Sequence, residues 1–297
     1  MLFIRYRNIF FGLIGALSVA SVVLLAVFGL NLGTDFTGGA LIEARYANER
    51  PAQAELTEVL TTAGLENPSV RASENGFIIR SAPLSEEARA ALPGTIEESG
   101  GTIERLTDVG PSLGKELRTK ALYALALVVL CIVLYVAFAF RKVSEPVSSW
   151  VYGLITIVTL IHDVLVPVGA FALFGYLWGA QVDTLFVTAV LTILGYSVHD
   201  TIVVFDRTRE NLRINTEARR KEDFEIVAGR AIEQTFVRSI NTSLSTLLAL
   251  GALFVFGPEA TRDFALTLVI GVVAGTYSSI ALATPLLVAY ERWKGKA

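Results

Sequence analysis

Six long apolar runs set the limits on what this chain can become: residues 9–30, 121–140, 150–176, 184–205, 239–256 and 264–290. A helix of roughly 17–25 apolar residues crosses about 30 Å of hydrocarbon, and longer runs cross with tilt. Inside lipid no water serves the backbone, so each run must close its own N–H and C=O bonds as a helix. Composition agrees: 53% of the 297 residues are hydrophobic and 18% are charged, too few charges for a soluble domain of this length. The fold class expected is an α-helical polytopic membrane protein with six transmembrane helices.

The first run is longer than the 7–15-residue apolar core of a cleaved leader. It reads as an uncleaved anchor, preceded by Arg5 and Arg7. Basic residues mark the cytoplasmic side of short loops. Arg141-Lys142 follow the second run, Arg207 to Arg230 fill the fourth connector, and Arg292, Lys294 and Lys296 close the chain. The connector 179–183 has no base. Both termini are therefore expected in the cytoplasm, and residues 31–114 outside it. The basic connector 207–232 is amphipathic enough over 211–230 to lie on a membrane surface, but it reads better as a solvated determinant of topology.

Residues 31–114 have the composition of a water-soluble domain, with thirteen acids against six arginines over 31–112. Residues 40–46 alternate as a strand, and 52–63 have helical spacing after Pro51. Strands at 69–71 and 77–80 flank the turn pair Asn75-Gly76. Ser85 opens a helix that runs to about Ser99 and stops at Gly100-Gly101. A last strand covers 102–109. The order βαββαβ predicts a ferredoxin-like α+β domain. It has no basic stripe, which argues against nucleic acid.

Chemistry-bearing motifs are scarce. The chain has one cysteine, Cys131, and two histidines. It lacks paired thiolates, HExxH, a phosphate-binding loop and a GxSxG elbow. No enzyme activity, cofactor or metal is expected. The anomalies lie inside the apolar runs. Asp200 sits in the fourth run at a cost of roughly 2.5–3.5 kcal/mol unless neutralised, paired or wet. Arg238 lies by the start of the fifth. Counting about 1.5 Å per residue from the flanking arginines puts both at similar depth. Ser197, Asp200, Thr201 and Val204 share one helical face; Thr235, Arg238, Asn241, Thr242 and Ser245 share another. Those faces read as halves of a polar seam, and Asp200 with Arg238 either as a proton path or as a static ion pair. His162-Asp163 lie mid-span four residues before Pro167, which frees the Asp163 carbonyl; a supporting network and plain packing both fit. His199 points about 100° from Asp200 and reads as a helix–helix hydrogen bonder. Gly271 and Gly275, with Ser279 and Ala283, form a small-residue ladder for close helix packing.

Three separated stretches carry a resemblance: Leu32-Gly33-Thr34-Asp35-Phe36-Thr37-Gly38-Gly39, the run from Gly195 through Asp200 to Glu210, and Gln234 to Ser243 around Arg238. Together they resemble the SecF family, the six-span subunits that pair with SecD and are RND-like half-transporters. The resemblance implies protein export across the bacterial cytoplasmic (inner) membrane driven by the proton-motive force. It implies Asp200 and Arg238 as proton-pathway residues. It also implies SecD, the SecYEG translocon, YajC, YidC and an unfolded preprotein as partners. Asp35, Gly38 and Gly39 read as a structural turn into the first strand. Two rivals are a small-molecule efflux subunit and a non-conducting assembly factor. The first is poorly served by a domain whose aromatics are Phe36, Tyr46 and Phe77.

Overall fold

The structure is a computed structural model that describes residues 2–47, 50–73, 75–140 and 147–294. Arg141-Lys142, Lys296, Glu49 and Glu74, used in the charge argument, lie outside the described residues. The elements run α1 (Leu2–Arg5), α2 (Arg7–Phe28), α3 (Thr34–Thr37), β1 (Gly39–Tyr46), α4 (Gln53–Thr62), β2 (Ser69–Ala72), β3 (Gly76–Ser81), α5 (Glu86–Glu98) and β4 (Gly101–Val109). Then come α6 (Pro111–Ala139), α7 (Ser149–Trp178), α8 (Thr184–Glu217), α9 (Phe224–Phe256), α10 (Glu259–Ser278), a π-helical turn (Ser279–Ala283) and α11 (Thr284–Lys294). The chain divides into two compact units. One comprises residues 1–30, 124–180 and 185–297; the other comprises 31–123 and 181–184.

The second unit holds one four-stranded sheet in the order β2-β3-β1-β4. β1 and β2 both run antiparallel to β3, so they are parallel to each other with β3 between them. That is a split βαβ unit, and β3-α5-β4 is split by β1 in the same way. Alternation explains the core. Ala40, Ile42, Ala44 and Tyr46 point to one face of β1, where Leu56 and Leu60 of α4 and Leu92 and Ile96 of α5 cover them. Ser85 caps α5 by accepting the Ala88 N–H at 3.1 Å. The Tyr46 hydroxyl bonds Ser99 Oγ at 2.8 Å; burial pushes this phenol up and the hydrogen bond partly offsets that.

Among the described residues there are six apolar helices, counting α10, the π turn and α11 as one, and they lie in the first unit apart from residues 111–123 of α6 and Thr184 of α8. Burial sorts them. The most apolar windows of α7, α8 and the α10–α11 helix are 44%, 50% and 72% buried, against 11% or less for α2, α6 and α9. The first three therefore make the centre of the bundle, and the others present an apolar outer surface suited to lipid. At one end Glu225, in the first turn of α9, accepts from Arg7 at 3.5 Å and pairs with Arg292 near the end of α11. The start of α2, the start of α9 and the end of α11 thus share one level, as an even number of crossings requires. α8 and α9 continue beyond their apolar runs. Between them Glu222 accepts from Asn215 Nδ2 at 2.9 Å and Arg230 Nη2 at 2.6 Å, which hold its carboxyl below the usual range.

The ladder on α10 meets α8 of the same chain. A methyl group on Gly271 would strike the side chain of Ile193; one on Gly275 would come to 2.8 Å from Ser197 Cβ and 3.1 Å from its Cα. Overpacking of this kind costs about 1–3 kcal/mol. Gly271→Ala is expected to lower the thermal midpoint, and Ile193→Ala in the same chain to restore much of it, because the clash is with a flexible side chain. Gly275→Ala meets the Ser197 backbone, so no single partner substitution should rescue it. Equal rescue at both sites would count against this packing.

Candidate functional site

Asp200 is on α8, turned into the bundle and 4% exposed. Its Oδ2 is buried and accepts no hydrogen bond among the described residues. Its Oδ1 lies 3.8 Å from His199 Nδ1, and that imidazole is mostly exposed. His199 thus stands beside the carboxylate and, among the described residues, bridges no two helices. Ser197 and Thr201, on the same face as Asp200, are buried with it. Thr201 spends its hydroxyl on the Ser197 carbonyl at 3.4 Å. A desolvated carboxylate with an idle oxygen is costly, and it is the largest electrostatic anomaly on this helix.

Arg238 is not bonded to it. The guanidinium lies within Coulombic reach of Asp200, but no hydrogen bond or ion pair joins them among the described residues, and Arg238 is exposed. Asn241 and Ser245 are exposed too, and Thr242 is half-buried, with its hydroxyl on the Arg238 carbonyl at 2.9 Å. The polar seam read from the sequence is therefore not closed within one chain. The face of α9 that does pack inward is Thr235, Ser239 and Ser243. There Tyr196 of α8 reaches Ser243 Oγ at 3.4 Å and Thr246 Oγ1 at 3.5 Å, and Ser243 bonds Thr276 of α10 at 2.6 Å. The difference arises because angular spacing gives faces but not neighbours: small hydroxyl residues let α9 approach α10, which turns the arginine outward.

A second polar cluster occupies the bundle centre. Asp163 is fully buried; its Oδ2 accepts from Ser278 Oγ at 2.8 Å and from Ser197 Oγ, while Oδ1 has no hydrogen-bond partner among the described residues. Next to it, His162 Nδ1 meets Ser18 Oγ at 2.7 Å and Nε2 meets the Tyr277 hydroxyl at 2.8 Å. One His-Asp dipeptide on α7 thereby ties α2, α8 and α10 together. Ser18, Tyr277 and Ser278 were not singled out from the sequence. Hydroxyls are unremarkable in apolar helices, and the one available signal was their position beside Gly275 and at the middle of the first span. Among the described residues no cluster of acidic, histidine or cysteine side chains has the makings of a metal site.

Asp35 lies in the single helical turn of α3, which ends at Thr37, and β1 begins at Gly39. Gly38 and Gly39 have φ of +78° and +134°, a backbone that side chains rarely adopt. A methyl group on Gly39 would sit 2.5 Å from the Ser81 carbonyl oxygen of β3.

Comparison with known proteins places this geometry. Residues 95–293 match the family described as protein export membrane protein SecD/SecF, C-terminal, and residues 23–49 match the SecD/SecF GG motif. The protein translocase subunit SecF of Thermobaculum terrenum is 40% identical over 97% of this chain and 93% of its own length. The chain belongs to the SecF family. Its membership makes it a membrane component of protein export. The crystal structure of SecDF from Thermus thermophilus, a translocon-associated membrane protein, superposes with a TM-score of 0.85 at 31% identity, over 98% of this chain. A structure of SecDF in a super-membrane-facing form matches with 0.69 at the same identity. The chain spans 39% of either SecDF chain.

Proposed function

We propose that this chain is the SecF half of a proton-driven export motor in the bacterial inner membrane, completed by a SecD partner. The observation that carries it is Asp200: a buried carboxylate with one oxygen that has no partner among the described residues, on a helix of a SecF-family protein, within the field of an arginine that faces out of the single chain. The outward Arg238, Asn241 and Ser245 supply a polar surface for a second subunit, so the proton path is shared between two chains. In one conformation Asp200 is desolvated and takes a proton; when the bundle shifts and Arg238 approaches, the anion is favoured and the proton leaves. Entry from outside and exit to the cytoplasm, where Arg207 to Arg230, Arg292 and Lys294 lie, moves one charge inward per turnover. That is worth about 2.3 kcal/mol per 100 mV. Energy on this scale biases a two-state movement of the domain at 31–114, outside the membrane. The moving domain holds or draws an unfolded preprotein emerging from SecYEG, with YajC and YidC as neighbours. Its work is mechanical and ion-coupled, with no enzyme chemistry and no cofactor.

The test uses the chain reconstituted with SecD and the translocon in sealed vesicles. With ATP held saturating, an imposed inward proton gradient should accelerate export, and a protonophore should remove the acceleration. Export that is indifferent to both treatments would exclude the reading.

A further inference from the structure

The chain leaves α2 and immediately runs beside residues 181–184, the connector between α7 and α8. Val182 N donates to the Asn31 carbonyl and Gly33 N donates to the Val182 carbonyl, each at 2.8 Å, and Leu32 pairs with Val182 as a parallel bridge. Asp35 then completes the contact. Its Oδ2 accepts from Thr184 N at 3.0 Å and from Thr184 Oγ1 at 2.6 Å. Thr184 is the first residue of α8, whose opening N–H groups have no acceptor within the helix. A carboxylate there satisfies a donor and complements the positive end of the helix. The cap comes from 149 residues away in the chain.

The other side of the same turn is equally constrained. Gly39 presses on Ser81 of β3; a methyl group on Gly38 would lie 2.9 Å from Pro111 Cα, and one on Gly114 2.9 Å from Gly38 N. Six residues, 34–39, therefore touch the sheet, the start of α6 and the start of α8. All of these contacts fall inside the unit formed by 31–123 and 181–184. α8 runs on from Thr184 to carry Ser197 and Asp200.

We infer that Asp35 is a positioning residue that couples the sheet to α8, so that a shift of the Asp200 helix reaches β1 through this carboxylate together with the backbone bonds of 31–33 to Val182. This rests on the proton-driven reading above. Removing the carboxylate leaves the proton path intact and loosens its link to the domain, because the backbone bonds to Val182 hold the segment but no longer the first turn of α8. The turn that the GG motif was expected to make is then only half of its role.

The experiment follows proton flux and gradient-driven export together, using the full chain with SecD in vesicles. Asp35→Ala is expected to keep flux near wild type while export falls roughly tenfold, the effect of losing a charged cap interaction. Asp35→Asn offers an amide oxygen to the same two donors and should keep both. If the alanine variant fails to accumulate, Asp35→Glu, whose oxygens sit one methylene further out, should give the same split. Amide exchange at Thr184 is the local readout: roughly fivefold or more faster in Asp35→Ala, unchanged in Asp35→Asn. Parallel loss of flux and export, an asparagine variant as poor as alanine, or unaltered exchange in the alanine variant would each overturn the inference. If wild-type vesicles show no coupled flux, the proton reading fails, and exchange at Thr184 still judges the cap.

Discussion

Asp200→Asn is expected to abolish gradient-driven export while the protein reaches the membrane and assembles as before. The amide is close in size and shape to the carboxyl group, so packing around α8 should hold. Asp200 Oδ2 bonds to nothing among the described residues, so the exchange breaks no buried pair and orphans no donor. What the amide cannot do is take up and give back a proton. A proton carrier that loses its titrating group typically loses roughly 10²-fold or more in rate. Arg238→Ala should have a comparable effect on gradient-driven export, since the anion then never gains the partner that favours proton release, and Arg238→Lys should retain part of it. A static ion pair predicts something else. The two residues do not touch in this structure, so either substitution would then cost little. Undiminished export from Asp200→Asn, at normal membrane levels, would sink the proton path and leave the polar residues as packing.

How much of this was legible beforehand depends on the kind of signal. β1 was readable because period-two alternation survives in sequence: Ala40, Ile42, Ala44 and Tyr46 are its buried face. The ends of α8 and α9 were not. Their extensions to Glu217 and back to Phe224 are polar, and an apolar-run criterion stops where the hydrocarbon stops. The π turn at Ser279–Ala283 had no sequence marker at all; small and apolar residues suit an ordinary helix equally well. At the site, Asp200 stood out because an acid in an apolar helix is expensive. The seam to Arg238 is not closed among the described residues, because helical angles fix faces and leave neighbours open. Tyr196 and Ser243 make the contact instead. Asp35 was recognised as part of a turn, since glycine spacing is a local signal. Its bond to Thr184 is long-range and leaves no pattern in either segment.

Asp163→Ala is expected to be the most destabilising single change at the bundle centre. The carboxylate is fully buried and gathers two hydroxyl donors, Ser197 from α8 and Ser278 from α10. Truncation leaves a cavity and removes the acceptor from both, at a combined cost of about 2–4 kcal/mol. The hydroxyls differ in what they can fall back on. Ser278 Oγ also reaches the Gly275 carbonyl at 3.2 Å, whereas Ser197 has Asp163 as its described acceptor. Adding Ser197→Ala to Asp163→Ala should therefore recover part of the loss, because a buried donor that no longer exists needs no acceptor. Ser278→Ala should recover less. The same substitutions in an otherwise native chain should be destabilising, since they take a donor away from a buried carboxylate. Asp163→Leu, which refills the volume without polar atoms, should be milder than alanine and should also gain from Ser197→Ala. Thermal midpoints of the purified complex, read as double-mutant cycles, measure each of these couplings. Additive losses across the Asp163–Ser197 cycle would mean that the two side chains do not share a hydrogen bond, and the buried cluster would then not be what holds α7, α8 and α10 in register.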